Sequence, residues 1–195
     1  YRPNFFANTP DILHEYLQHG GRPAFRIRAL LAATLAPVYG IYSGYELCEN
    51  AAVHPGSEEY LDSEKYEIPV RDWNAPGNIK RDISRLNLIR RSQPALAELT
   101  NVKFIHSESD EVIAYVKFAP HERASHLLVV VTVNPVDVKG TIVHVPLAEL
   151  GIADDESYVV QDLLTGTSYN WRGSKNYVRL DPDDKVGHLF RIERR

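Results

Sequence analysis

The chain has 195 residues, of which 44% are hydrophobic and 25% charged, and both fractions are close to those of ordinary globular proteins. Its formal net charge of −4 excludes the basic balance of a nucleic-acid-binding protein, and its longest apolar stretch, near Ala29–Tyr42, is too short and too interrupted to span a membrane. The single cysteine, Cys48, excludes an intramolecular disulfide and predicts a reducing compartment, the cytoplasm.

The start of the chain is unusual for a natural open reading frame. The sequence contains no methionine and begins with Tyr1, in the middle of a predicted strand. Residues Tyr1–Gln18 also lack the basic head, apolar core and cleavage site of a secretory signal. We therefore expect a fragment or a processed piece, with part of the parent protein's machinery upstream of residue 1.

The aromatic stretch Asn4–Ala7 predicts a buried strand, which Pro10 ends, and a helix is expected over Asp11–Gln18, ended by Gly20-Gly21. Asp11 has two interpretations. It can be the helix N-cap, which accepts the free N–H groups of the first turn. It can also be a catalytic carboxylate at the carboxyl end of a barrel strand. The pattern alone favours the cap.

The rest of the first hundred residues alternates between helix, strand and loop. Ala24–Leu35 predicts a second helix with Pro23 in its first turn, and Val38–Tyr42 a second buried strand. The long polar segment Asn50–Asn78 is the kind of loop that carries function. A third helix, ending before Pro94, follows from the apolar spacing of Ile79, Ile83 and Leu86.

Several charged and aromatic side chains in this region have a structural and a functional interpretation. The basic side chains of the third helix are expected on its solvent face: Lys80, Arg81, Arg85, Arg90 and Arg91. The acidic loop is predicted to hold solvated charges, not a calcium ion, because it lacks the Asp/Asn-Gly arrangement of a binding loop: Glu58, Glu59, Asp62 and Glu64. Trp73 and Trp171 could be sugar platforms, but a place in a loop and at a strand edge is favoured.

Beyond residue 100 the apolar residues alternate with a period of two. Leu127–Val133 is β-branched and nearly continuous, so it is expected at the centre of a sheet. The other predicted strands are Val112–Phe118, Thr141–Val145, Tyr158–Leu163, Tyr177–Leu180 and Val186–Ile192. Short strands separated by turn signals predict an antiparallel β-sandwich. The fold class is therefore α/β plus all-β, with one domain over residues 1–100 and a second over 101–195.

Two motifs in the first hundred residues resemble the α-amylase superfamily. In that superfamily the seventh strand of a (β/α)₈ barrel ends in Asn followed shortly by Asp, and Asn8-Thr9-Pro10-Asp11 corresponds to this pattern. The eighth strand carries a Tyr-rich run ending in Gly-x-Glu, which Ile41–Glu46 matches. The resemblance implies that residues 1–100 are the end of a barrel, strands 7 and 8 with their helices, followed by the sandwich.

The resemblance is closest to one subgroup, the bacterial α-1,4-glucan:maltose-1-phosphate maltosyltransferases. The replacement of the usual His by Pro10, the whole of Arg2–Leu13 and the block Asp62–Glu67 are typical of it. The similarity continues through Arg71-Asp72-Trp73 and Leu86–Arg91 and weakens in the sheet domain. Pro10 disfavours an ordinary amylase or a trehalose-forming isomerase, which remain alternatives.

The resemblance implies retaining transfer of a maltosyl group from α-maltose 1-phosphate to an α-1,4-glucan acceptor. A retaining enzyme needs two carboxyl groups about 5 Å apart; in the family they come from strands 4 and 5, upstream of Tyr1. Asp11 matches the third carboxylate, which stabilises the transition state. Lys65 and Tyr66 match positions that contact the donor's maltosyl group; without the resemblance they are a solvated lysine and a loop anchor.

Charge and composition predict no nucleic-acid or membrane partner, and no cofactor or metal is expected. The full-length protein is expected to be a homodimer. The 195-residue chain alone is predicted to be inactive, because the nucleophile and the acid/base are not on it. The alternative from another class is a non-catalytic carbohydrate-binding or structural module attached to another enzyme domain.

Overall fold

The first two strands of the chain run parallel and lie side by side. In the computed structural model, which describes residues 3–121 and 124–193, β1 (Asn4–Phe6) pairs with β2 (Val38–Gly40), so that Phe6 lies opposite Gly40. Parallel strands need a crossover connection, and here two helices supply it, α1 (Glu15–His19) and α2 (Gly21–Leu35). Tyr1 and Arg2, which the sequence analysis used, lie outside the described residues.

The predicted burial of the two strands is wrong. Both strands are shorter than predicted, and Phe5, Phe6 and Val38 expose 37%, 48% and 47% of their surface. The reason is that no third strand pairs with β1 or β2 among the described residues. Apolar side chains that the sequence pattern predicts to be buried are therefore in contact with solvent.

The predicted helix over Asp11–Gln18 is also wrong in its first half. Thr9 and Ile12 exchange backbone hydrogen bonds of 3.5 and 3.3 Å, which close a tight turn over Pro10 and Asp11. The fixed φ of proline suits the second position of such a turn. The helix begins later, with His14 as its N-cap, whose Nδ1 accepts a hydrogen bond from the Tyr16 N–H at 3.1 Å. The N-cap interpretation of Asp11 is therefore excluded.

The other two helical predictions are confirmed. Helix α2 has Pro23 in its first turn. Helix α3 (Lys80–Ser92) buries Ile83, Leu86 and Ile89 on one face. The predicted loop Asn50–Asn78 contains no helix or strand, and a 3₁₀ turn over Tyr45–Leu47 precedes it.

Two of the basic side chains on α3 are not simply solvated, which corrects the prediction of a wholly solvent-facing group. The guanidinium of Arg90 is half-buried and donates to the carbonyl oxygens of Ala36 at 3.1 Å and Pro37 at 2.6 Å, at the end of α2. Cations are favourable at this end of a helix dipole. Arg85 donates to the carbonyl oxygen of Leu163, at 2.8 Å from Nε and 2.6 Å from Nη2. Both residues therefore stabilise tertiary contacts.

The second half of the chain consists of antiparallel strands, as predicted. The strands are β3 (Val102–Ile105), β4 (Val112–Lys117), β5 (Leu127–Thr132), β6 (Lys139–His144), β7 (Ser157–Asp162), β8 (Ser168–Arg172), β9 (Lys175–Leu180) and β10 (Gly187–Glu193). Six of them form one sheet in the order β3-β4-β5-β10-β7-β8, and β6 pairs with β9. Strand β5 is central, as expected; β3, β8 and the short helix α4 (Leu147–Leu150) were not predicted.

The central strands of the six-stranded sheet are buried on both faces. On β5, Leu128 and Val130 belong to the core between the two sheets, whereas Leu127, Val129 and Val131 belong to a core shared with α2 and α3. Alternate residues of a strand point to opposite faces, which explains why all six residues of β5 are buried. The two predicted domains thus share one apolar cluster.

A buried hydroxyl chain crosses between the two halves. Thr34 on α2 and Tyr115 on β4 are fully buried, and their hydroxyl oxygens are 2.5 Å apart. The Thr34 hydroxyl donates to the Leu30 carbonyl oxygen at 2.6 Å, so the Tyr115 hydroxyl is the donor between them.

Within the described part of the chain, no helix is both long enough and apolar enough to cross a membrane.

Candidate active site

Asn8 holds together three segments at the carboxyl end of β1. Its side chain is 3% exposed, Nδ2 donates to the Tyr60 hydroxyl at 2.6 Å, and Oδ1 accepts from the Tyr42 N–H at 2.7 Å. A buried amide needs partners for both its donor and its acceptor, and here it has both. The chain after β1, the chain after β2 and the long loop are therefore fixed relative to one another, directly beside the Pro10-Asp11 turn.

A second anchor ties the long loop to the segment after β2. The Arg71 side chain is 7% exposed, and its fork donates to both Glu49 oxygens, at 2.7 Å from Nε and 3.2 Å from Nη2. Its Nη1 donates to Glu64 Oε1 at 2.5 Å. These hydrogen bonds, first those to Glu49, raise the pKa of Arg71. Gly44 has φ +92°, and an added Cβ would lie 2.0 Å from Glu49 Oε2, so glycine is required there.

Ser63 forms the turn that presents Lys65 and Tyr66. It is 3% exposed; its hydroxyl oxygen accepts from the Lys65 N–H at 3.3 Å, and its carbonyl oxygen accepts from the Tyr66 N–H at 2.9 Å. The Glu64 N–H donates to the Tyr42 hydroxyl at 3.0 Å. Serine favours such local side-chain-to-backbone bonds, which compete with regular structure and build turns.

The structure brings Asp11, Lys65 and Tyr66 together. The Lys65 ammonium donates to Asp11 Oδ1 at 2.5 Å and to Glu59 Oε1 at 2.8 Å. The Tyr66 hydroxyl donates to the same Glu59 oxygen at 3.3 Å, and Lys65 Nζ lies 5.3 Å from the centre of the Tyr66 ring. We call these four residues the Asp11 cluster. Its fourth member, Glu59, was missed, because nothing in the sequence separates it from the neighbouring acidic residues.

Hydrogen bonds within the Asp11 cluster favour the charged forms of Lys65 and Glu59. Hydrogen bonds from Lys65, first that to Asp11 and then that to Glu59, raise the pKa of the ammonium. The same ammonium lowers the pKa of Glu59. Two carboxylates and one ammonium leave one net negative charge, which is suited to a positive charge developing on a ligand.

Asp11 is the more accessible of the two carboxylates in the cluster. Its side chain is 69% exposed, and no donor among residues 3–121 and 124–193 reaches Oδ2. This oxygen can accept a hydrogen bond from a ligand hydroxyl. Glu59 is not suited to general-acid chemistry, because an acid needs a raised pKa and its pKa is lowered.

The acidic loop does not consist of solvated charges only, which corrects the sequence prediction. Glu59 is paired with Lys65 and Glu64 with Arg71. In the described part of the chain, no three His, Cys, Asp or Glu side chains are grouped to hold a metal ion. These carboxylates thus order the loop through ion pairs.

Comparison with known proteins gives one consistent family. A family model described as "GLGE, C-terminal" matches residues 104–192. Over 99% of its length the chain is 50% identical to α-1,4-glucan:maltose-1-phosphate maltosyltransferase 2 of Streptomyces coelicolor. The same-named protein of Rhodospirillum rubrum is 49% identical over 98% of the chain, and that of Mycobacterium tuberculosis 46% over 98%. The chain spans only 28–29% of the length of these relatives.

Solved structures with a similar fold include α-amylases. An α-amylase from Geobacillus thermoleovorans, complexed with acarbose, has a TM-score of 0.69 at 10% identity, covering 100% of this chain and 40% of its own. AmyP in complex with maltose has a TM-score of 0.71 at 15% identity, covering 97% and 40%. These likenesses concern the fold alone. Together with the sequence matches they confirm the resemblance: over nearly its whole length, this chain corresponds to the C-terminal portion of the α-1,4-glucan:maltose-1-phosphate maltosyltransferase family.

Proposed function

We propose that this chain is the C-terminal part of a retaining transferase that moves maltosyl from α-maltose 1-phosphate to the non-reducing end of an α-1,4-glucan. The observation that carries the proposal is the Asp11 cluster, in which Lys65 donates to Asp11, and Lys65 and Tyr66 donate to the same Glu59 oxygen. A bare accessory module has no need of such a cluster, so the convergence favours the enzyme over a carbohydrate-binding module.

The proposal includes that β1 and β2 are the seventh and eighth strands of a (β/α)₈ barrel. Their parallel pairing across α1 and α2 supports this. So does the position of Asn8 and the Asp11 turn, which follow the carboxyl end of β1, where barrel enzymes place their functional groups. The exposed face of Phe6 and Val38 fits strands that are enclosed in the complete barrel.

In this proposal Asp11 stabilises the oxocarbenium-like transition state. As the bond between the sugar C1 and the phosphate oxygen breaks, positive charge grows on the ring, and its hydroxyls become stronger donors. Hydrogen bonds from these hydroxyls to an ionised carboxylate are therefore stronger in the transition state than in the ground state. This difference lowers the activation free energy of the transfer. Asp11 Oδ2 is the acceptor that is open for this role.

Lys65 and Tyr66 contact the maltosyl group of the donor. An ammonium and a phenol can both donate to sugar hydroxyls, and the tyrosine ring can pack on a pyranose face. Glu59 acts indirectly, because it holds both side chains at one carboxylate oxygen. The nucleophile and the acid/base belong to residues outside this chain; the lowered pKa of Glu59 disfavours it as the acid/base.

The test is Asp11→Asn in the full-length protein, with Glu58→Gln as the control. Glu58 is an exposed carboxylate on the same loop region for which no side-chain bond is found in residues 3–121 and 124–193. We expect Asp11→Asn to lower kcat for phosphate release from α-maltose 1-phosphate on the order of 10²-fold or more, as removal of a transition-state donor or acceptor does. The control should keep its turnover. Full turnover by Asp11→Asn would remove Asp11 from the mechanism.

A further inference from the structure

We propose that a basic cleft between the two halves of the chain binds a nucleotide-like organic polyphosphate, a ligand that has a phosphate chain and a flat ring. The cleft lies where the N-terminal parts of α2 and α3 meet the turns that follow β7 and β9. Its volume is about 430 Å³. We call it the α2–α3 cleft. It shares no residue with the Asp11 cluster, and binding there does not depend on the transfer reaction.

The α2–α3 cleft carries an excess of positive charge. Five cationic side chains line it: Arg22, Arg26, Arg81, Arg85 and Lys185. Two carboxylates, Asp82 and Asp184, also line it, which leaves three positive charges in excess. The whole chain, in contrast, has a net charge of −4. A local concentration of cations in an acidic protein attracts an anionic ligand.

Ion pairs within the cleft neutralise little of this charge. Asp82 accepts from Arg22 Nη2 at 3.2 Å and from Arg26 Nε at 2.9 Å, so one carboxylate serves two guanidinium groups. Arg26 also donates to the Asp184 carbonyl oxygen at 2.9 Å. Arg85 donates to a backbone carbonyl oxygen, at 2.8 Å from Nε and 2.6 Å from Nη2. Carbonyl oxygens satisfy N–H donors but carry no net charge, so the positive charges of these arginines remain.

Arg81 and Lys185 are available to bind a ligand directly. Within residues 3–121 and 124–193, neither side chain forms a hydrogen bond or an ion pair. Arg81 is exposed on α3, and Lys185 is half-buried in the turn after β9, so a ligand in the cleft can meet one cation from each half of the chain. An arginine fork binds two phosphate oxygens at once, and a lysine binds phosphate as a point charge.

The two helices add to the positive potential of the cleft. Arg22 near the start of α2 pairs with Asp82 near the start of α3, whereas Arg90 near the end of α3 donates to the end of α2. The helices are therefore parallel, and both N-termini, each equivalent to roughly half a positive charge, lie at the cleft. Arg81 is in the first turn of α3, where the dipole disfavours a cation, so helix stability does not account for its position.

The floor of the cleft is apolar. Leu30, Leu86, Leu164 and Val186 line it. Gly187 allows β10 to approach α2 closely, because an added Cβ would lie 2.6 Å from Leu30 Cδ2. Apolar side chains beside guanidinium groups suit a flat ring, which can pack on both, and a free phosphate ion would leave them uncovered. A volume of about 430 Å³ falls within the range of small-ligand sites, about 300–1,000 Å³.

The experiment measures ATP binding to the full-length protein by isothermal titration calorimetry, in buffer without divalent cations. Arg81→Gln and Lys185→Gln are the test variants. Arg91→Gln is the matched control, because Arg91 is exposed at the other end of the same helix and lies outside the cleft. We expect each test variant to weaken ATP binding about tenfold, since each removes a charge-assisted contact, and the control to keep the wild-type Kd.

The test variants should fold as the wild type does. Neither side chain forms a bond within the described residues, so both variants should unfold at the wild-type temperature. Arg81→Lys keeps the charge but loses the fork, and should weaken ATP binding by only about threefold.

A second probe tests the class of ligand. Pyrophosphate has the charge of a phosphate chain but no ring, so it should bind more weakly than ATP. Leu164→Ala should weaken the binding of ATP and leave that of pyrophosphate unchanged, because it removes only apolar surface from the floor. Equal affinity for pyrophosphate and ATP would overturn the assignment of a ring-bearing ligand.

Three results would overturn the site itself. The first is an equal Kd for ATP in the wild type, Arg81→Gln and Lys185→Gln, and the second is an equal loss in Arg91→Gln, which would indicate a response to net charge alone. The third is the absence of binding to the wild type at about 1 mM ATP.

The outcome is separable from that of the proposed function, because no measurement here uses α-maltose 1-phosphate or an acceptor. A protein that binds ATP through Arg81 but transfers no maltosyl supports the cleft and contradicts the proposed function. A protein that transfers maltosyl but has the same Kd for ATP in all variants contradicts the cleft alone.

Discussion

The hydroxyl chain from Tyr115 through Thr34 to Leu30 predicts an asymmetric pair of mutational effects. In Thr34→Val the Tyr115 hydroxyl loses its acceptor, and both residues are fully buried. Leaving a buried donor unsatisfied costs about 1–3 kcal/mol in the free energy of unfolding. In Tyr115→Phe the Thr34 hydroxyl still donates to Leu30, so we expect a smaller cost, about 0.5–1.5 kcal/mol.

The double variant Thr34→Val/Tyr115→Phe removes both polar groups and leaves no orphan. Its cost should therefore be smaller than the sum of the single costs, with a coupling on the order of 1 kcal/mol. The assay is thermal unfolding followed by circular dichroism and by fluorescence, in which each kcal/mol corresponds to a shift in Tm of roughly 2–4 °C for a chain of this size.

Two results would refute this reasoning. Strict additivity of the two variants would mean that the hydroxyls do not interact. A Thr34→Val variant as stable as the wild type would mean that the Tyr115 hydroxyl reaches water or another acceptor. Thr34 lies in the first predicted domain and Tyr115 in the second, so a coupling also measures how strongly the two halves stabilise each other.

Three other predictions concern single polar groups. In the wild type, the stabilisation from the Lys65–Glu59 pair is lost as the pH falls through the lowered pKa of Glu59; Lys65→Met removes the pair and should raise that pKa, and a carboxyl NMR titration that shows no rise contradicts the pairing. Arg71→Lys loses the fork to Glu49 and should destabilise the protein by roughly 1–2 kcal/mol and speed proteolysis near residues 62–70, whereas unchanged cleavage rates count against the anchor. Asp162→Asn replaces one of two fully buried acceptor oxygens by a donor and should cost about 2–4 kcal/mol in urea unfolding; a cost below 1 kcal/mol would show that the carboxylate is not needed there.

Regular periodicity explains what the sequence predicted correctly. The i, i+4, i+7 spacing from Ile79 gave α3, and the β-branched run Leu127–Val133 gave the central strand β5. In both cases the buried face repeats with the period of the element, so local pattern and tertiary packing agree. The antiparallel order of the second half follows from the short spacing of its turns.

The errors lie where a short segment depends on distant partners. The Pro10-Asp11 turn was read as a helix start, because a proline and a carboxylate before an apolar residue are typical of both. Strand β8 alternates Tyr169 and Trp171 with polar residues and could have been found by its period of two, but it is short and at an edge. The predicted burial of Phe5 is wrong because, among the described residues, β1 pairs with β2 alone.

The candidate site was predictable in part. Asp11, Lys65 and Tyr66 were singled out by resemblance, and their roles stay predictions. Glu59 was not found, because its selection depends on a turn at Ser63 and an anchor at Arg71 that no local pattern announces. Distances between residues 48 positions apart or more, as between Asp11 and Glu59, come from the fold alone.

The central strands of the six-stranded sheet are buried on both faces, and this has a consequence for expressing the β domain on its own. If the chain were cut before Val102 to obtain the β domain alone, four buried side chains would become a solvent-exposed apolar surface: Tyr115, Leu127, Val129 and Leu189. The isolated β domain should therefore aggregate in solution, even if its strands form correctly. The change of periodicity near residue 100 marks a change from helices to strands. It does not mark a point at which the chain can be divided into two independently stable parts.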